Sequence, residues 1–93
     1  SIKVPIRTIN VPDSLKLITN PLYINIIYRV SMKNYKKINK YQFSVVVDYN
    51  EISQSINRKL KVKIKDFPYM IKIENYMPRS TDFFIESNRL PNK

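Results

Sequence analysis

Apolar and polar residues alternate from one end of the chain to the other, and period two is the signature of strands with one face inward and one outward. Ile2, Val4 and Ile6 share a face in a first strand, where Pro5 is tolerated only at a sheet edge or a bulge. The segment "NVPDS" turns the chain with Asn and Asp, and Leu15 to Thr19 forms a second short strand. After "NP" a long strand follows in "LYINIIYRVS", with Leu22, Ile24, Ile26, Tyr28 and Val30 on one face. "YQFSVVVDY" is another, with Phe43, Val45 and Val47 in phase. Lys59 to Phe67 alternates four lysines with Leu60, Val62 and Ile64 and stops at Pro68. A short strand "YMIKI", an irregular joint "ENYMP", a last strand "TDFFIES" and a tail "NRLPNK" complete the chain.

The alternation breaks once. Met32, Tyr35 and Ile38 recur at helical spacing after Ser31, a residue suited to an N-cap, which predicts a helix of about two turns near Met32 to Asn39. The polar connection "NEISQSINR" has room for a further turn of helix. No repeat or linker divides the sequence. The expectation is one mainly β domain of about seven short strands and one short helix over residues 1–87, followed by a C-terminal tail at 88–93.

Ninety-three residues bury roughly 60 to 65% of the unfolded surface, enough for a core without metal or disulfide help. Cysteine, histidine and glycine are all absent. Thiol nucleophiles, imidazole bases, the usual zinc ligands and Gly-rich phosphate loops go with them, so the expectation is a non-enzyme with no cofactor and no metal. The seven carboxylates are scattered, and the nearest pair, Asp48 and Glu51, reads as a strand end and turn before it reads as acid/base chemistry. No apolar run reaches the roughly 20 residues of a membrane span, and the first residues lack the apolar block of a signal peptide. A start at Ser1 without Met suggests a piece of a longer protein.

The net charge of +10 raises the question of an acidic partner. Ile, Asn, Lys and Tyr fill almost half the chain, a bias expected of an AT-rich genome, and Lys outnumbers Arg twelve to five, whereas nucleic-acid surfaces favour Arg. The candidate interaction surface is the lysine comb Lys59, Lys61, Lys63 and Lys65 with Tyr69, Lys72 and Tyr76. Either the comb meets phosphates and Tyr69, Tyr76, Phe83 and Phe84 stack on bases, or the comb is a wet strand face and the aromatics are packing. The second reading is preferred, so that nucleic-acid binding is expected to be weak and salt-sensitive, and Lys63→Asp nearly neutral.

The order of the pieces is more specific than any one of them. "IKVPIRTINVPDSLKLITNPLYINIIYRV" resembles the first half of a YbbR-like domain, the module repeated in the CdaR group of bacterial surface regulators. That half has a strand, an Asn-x-Pro turn, a short strand, a Pro and a long strand. "INKYQFSVVVDYNEI", with Val47, Asp48 and Ile52, resembles the family's strand ending in Val-Asp, and "KLKVKIKDFP" and "MPRSTDFFIES" match its next alternating strand and its closing Pro, here Pro78. The sequence lacks the Gly that commonly follows the long strand and the one before the comb, so Asn34, Asn39, Asn50 or Asn57 is expected to take left-handed conformations.

The resemblance implies no catalytic residues. It implies an extracytoplasmic position in the cell envelope, anchored through a transmembrane helix outside this segment, with sister domains in the same chain. The implied role is a protein contact that regulates a membrane diadenylate cyclase. The fold is also similar to a C-terminal domain of a large-subunit ribosomal protein, which makes an RNA-contacting module the alternative.

Overall fold

The computed structural model describes residues 1–54 and 58–87. Its strands are β1 (Ile2–Pro5), β2 (Arg7–Ile9), β3 (Leu15–Asn20), β4 (Tyr23–Arg29), β5 (Ser44–Asp48), β6 (Lys59–Lys61), β7 (Lys63–Asp66), β8 (Lys72–Met77) and β9 (Ser80–Ser87). They form three small sheets, ordered β1-β4-β8, β2-β5-β7 and β3-β9-β6. Every pairing is antiparallel except β2 with β5.

Two of the sheets share one long ribbon. β3 pairs with β9 from Leu15 opposite Ser87 to Asn20 opposite Asp82, and the pairing resumes at Asn25 opposite Met77 with no residue gained or lost. The register slips by one only beyond Ile27, where Glu74 is the extra residue of a bulge. The gap between the halves holds Pro21 on one arm and Pro78 on the other, both after cis peptide bonds. A proline has no N–H to give a ladder, and in the running register Pro21 would face Thr81 and Pro78 would face Ile24, so one proline stands at each end of the gap.

The carbonyls left over at the gap are met from outside. The N–H of Ile6, one residue past β1, donates to Leu22 O at 2.8 Å, and that of Val62, one residue past β6, donates to Arg79 O at 2.9 Å. Both outer segments then leave the ribbon and flank β5, β2 on one side and β7 on the other. The core lies where the three sheets meet: Val4, Ile24, Ile26, Leu60 and Val62 from the ribbon and its flanks, and Val45 and Val47 from β5, all buried. With the ribbon as spine, the molecule measures 58 × 30 × 17 Å.

The strand phases match the alternation except at Leu22, which precedes β4 and is exposed rather than inward, and Pro5 lies on the edge strand β1. Four further expectations change. The first strand divides at Ile6 and the comb at Val62, because each segment serves two sheets, which raises the strands among the described residues to nine. "ENYM" is not an irregular joint but the main part of β8, its bulge disguising the alternation. In place of the helix, 3-10 turns occupy Tyr35–Lys37 and Lys40–Gln42. Met32 and Tyr35 are exposed, so no apolar stripe was available to pay the nucleation cost of so short a helix.

The fourth change concerns left-handed residues. Asn34 and Asn39 have φ of −111° and −142°, Asn50 is likewise not left-handed, and Asn57 lies outside the described residues. The left-handed positions are Asn10, φ 60°, in the Asn-x-Pro turn, and Arg58, φ 57°, just before the comb. Asn10 suits that conformation, whereas Arg58 holds it against the steric preference of a side chain with a Cβ. The tail at 88–93 and part of the polar connection also fall outside the described residues.

Candidate interaction surface

The lysine comb is two edges rather than one face. Lys59 and Lys61 belong to β6, the outer strand of one sheet, and Lys63 and Lys65 to β7, the outer strand of another. Leu60 and Val62 point into the core as their phase requires, and Ile64 is half-buried beside it. Lysines on outer strands oppose edge-to-edge association, because a second sheet cannot pair there without bringing like charges together. That is a sufficient reason for their position.

Two comb lysines already have carboxylate partners. Lys59 Nζ lies 3.3 Å from Asp82, directly opposite it in the β6–β9 ladder. Lys63 bonds Glu51 of the 3-10 turn after β5, an ion pair on side chains that are only about a third exposed or less. The Glu51 hydrogen bond, with its charge, holds the Lys63 ammonium above its usual range. Lys61 and Lys65 are exposed.

The acidic pair considered from sequence is structural. Asp48 Oδ1 accepts from Asn10 Nδ2 at 3.0 Å and from the Asn50 N–H at 2.9 Å, locking the turn after β2 to the end of β5. The Asn10 bond, then the Asn50 bond, and lastly the charges of Lys63 and Lys65 lower its pKa. Among the described residues no three potential ligands gather to hold a metal ion.

The remaining candidates separate as well. Lys72 is exposed at the start of β8, in the third sheet. Tyr76 is half-buried, its hydroxyl donating to Val62 O at 3.4 Å, with the Arg79 guanidinium 4.2 Å from its ring centre. It braces the junction at the break. Tyr69 is 93% exposed. Phe83 packs against the core, while Phe84 on the other face of β9 is exposed. The seven residues named from sequence are thus distributed over three sheets and a turn and form no single strip.

The structure brings together a different set. The last ladder pair of β4 and β8 is Arg29 with Lys72, and from that end of the ribbon two loops emerge, one after Arg29 and one before Lys72. Each begins with a tight turn at the ribbon end. Asn34 N donates to Ser31 O at 3.0 Å with Met32 and Lys33 at the corners, and Ile71 N donates to Pro68 O at 3.3 Å with Tyr69 and Met70 at the corners. The first loop makes two more turns, closed by Lys37 N to Asn34 O and Gln42 N to Asn39 O. Their corners carry Tyr35 with Lys36 and Lys40 with Tyr41, so three turns each project one Met or Tyr and one Lys. Met32 is 87% and Tyr41 86% exposed, although the helix expected from sequence would have turned Met32 inward. One signal was in the sequence: no carboxylate occurs from Ser14 to Val47.

No family model matches the sequence, and no curated protein matches it either. Among solved structures, the chain is similar to the crystal structure of a YbbR family protein from Desulfitobacterium hafniense DCB-2, with a TM-score of 0.63 at 20% identity. The alignment covers 94% of this chain and 95% of that one. The two share a fold over nearly their whole lengths, with most side chains different.

Proposed function

We propose that this YbbR-like fold is a non-catalytic interaction module of a larger, membrane-anchored protein, positioned outside the cytoplasm, where it modulates a membrane diadenylate cyclase by contact. The observation that supports this most is the likeness of fold to a YbbR family structure over 94% of the chain. The polar groups described in the structure fit it: Asp48, Glu51 and Tyr76 are occupied in holding elements together. An RNA-contacting role has weaker support, because the comb is divided between two sheet edges and two of its four lysines are paired with carboxylates.

Regulation by contact needs a cyclase whose active and inactive states bind the domain with different affinity, since equal binding shifts neither. The test is to delete residues 1–87 from the parent protein, keep its other segments, and measure cellular cyclic di-AMP together with co-purification of the cyclase. A changed nucleotide level with lost cyclase supports the proposal. An unchanged level with cyclase recovery equally unaffected refutes it.

A further inference from the structure

We propose that the turns at the Arg29–Lys72 end of the ribbon form a docking surface for an anionic lipid bilayer. Met32 and Tyr69 each lie three residues from that last ladder pair, so neither Cα is more than about 11 Å from it. Each occupies the first corner of its turn and is almost wholly exposed. The loop after Arg29 carries Lys33, Lys36, Lys37 and Lys40, and Lys72 stands in the last ladder pair itself; none of the five has a carboxylate partner among the ion pairs of the described residues. Two carboxylates are described near this end: Glu74, 3.2 Å from Arg29, and Asp66, exposed three residues before Tyr69, where its Oδ1 accepts from the Phe67 N–H; the five lysines outnumber them.

The pairing of residue types at the corners matches the layered chemistry of a bilayer surface. A protruding Met enters the acyl boundary, a Tyr ring lies at headgroup depth with its hydroxyl in water, and a neighbouring Lys meets lipid phosphate. Single-stranded RNA would instead use a flat face with aromatics for stacking and a groove with Arg for the backbone. Here the cations are lysines and the aromatics stand on separate convex turns. The proposal does not depend on a cyclase, since lipid alone is the ligand.

Flotation with vesicles of phosphatidylcholine containing phosphatidylglycerol as the minority lipid, at near-physiological salt, tests it. Binding is expected to these vesicles and not to pure phosphatidylcholine. Each surface lysine contributes about fivefold to affinity, so the variant with Lys33→Glu, Lys36→Glu and Lys40→Glu should bind at least about a hundredfold more weakly. Met32→Ser combined with Tyr69→Ser should weaken binding severalfold, whereas Lys59→Glu with Lys61→Glu should leave most of it. All these side chains are exposed, and thermal melting of each variant confirms that it folds. Because the sequence has no Trp, Tyr69→Trp supplies a sole reporter whose emission should shift to the blue on vesicles. Equal loss from the comb variant, an unshifted Trp, or binding to a single-stranded RNA at the same salt with vesicles ignored would overturn the assignment.

Discussion

The hydroxyl of Tyr76 donates to the backbone carbonyl of Val62, tying β8 to the point where the lysine-bearing segment passes from one sheet to another. At 3.4 Å the bond is long, and most of what Tyr76 contributes is its half-buried ring beneath Arg79. Tyr76→Phe should therefore cost about 0.5 kcal/mol and Tyr76→Ala about 2 kcal/mol. Tyr69→Ala should leave stability unchanged. Urea unfolding of the three variants checks this ranking; equal costs at both tyrosines would contradict the separation drawn between them.

The divided comb makes its positions unequal. Val62→Asp places an unpaired charge in the core and should cost more than about 4 kcal/mol, enough to prevent folding of so small a domain. Lys61→Asp should be close to neutral. Lys63→Asp should lower the melting temperature measurably more than Lys61→Asp, since it sets a carboxylate against Glu51 where an ion pair stood. The alternation alone made Lys63 look like Lys61; its partner comes from a turn twelve residues upstream.

Thr81 is buried opposite Leu60, and its hydroxyl has no hydrogen-bond partner among the described residues. Thr81→Val keeps the shape and removes the unpaired hydroxyl, so the variant should gain about 1 kcal/mol in stability. A loss in chemical denaturation would mean that the hydroxyl is satisfied after all.

Acid should unlock the turn after β2. The folded-state pKa of Asp48 lies below its unfolded value, so the carboxylate adds stability above that unfolded value and loses it as pH falls through the folded one. Wild type and Asp48→Asn should thus differ in melting temperature near neutral pH and converge below about pH 4. A difference that persisted in strong acid would point to packing rather than charge.

Which parts of this fold could be read in the sequence follows from the range of the forces involved. The phases of β1, β4, β5 and the comb are local, carried by residues two apart, and Val4, Ile24, Val45, Leu60 and Val62 are buried as their alternation requires. The crossings at Ile6 and Val62 were not legible, because a strand that changes sheets keeps its period and only the hydrogen bonds to Leu22 and Arg79 mark the change. β8 was obscured by its bulge at Glu74. The segment from Ser31 to Gln42 misled in the opposite direction: Met32, Tyr35 and Ile38 have helical spacing, yet only Ile38 reaches the core. Of the candidate surface, the charge was visible and its distribution over separate sheets was not.

Reconstitution distinguishes a domain that acts by contact on a membrane enzyme, as proposed, from one that does not. A membrane diadenylate cyclase is placed in liposomes with the parent protein that the proposal requires, intact or lacking residues 1–87, and the rate of cyclic di-AMP formation is measured at equal protein density. Removing the domain should change the rate, and adding the isolated domain in excess should shift it back toward that of the intact protein. Identical rates with the intact and shortened parent, unaffected by added domain, would rule out regulation by this domain.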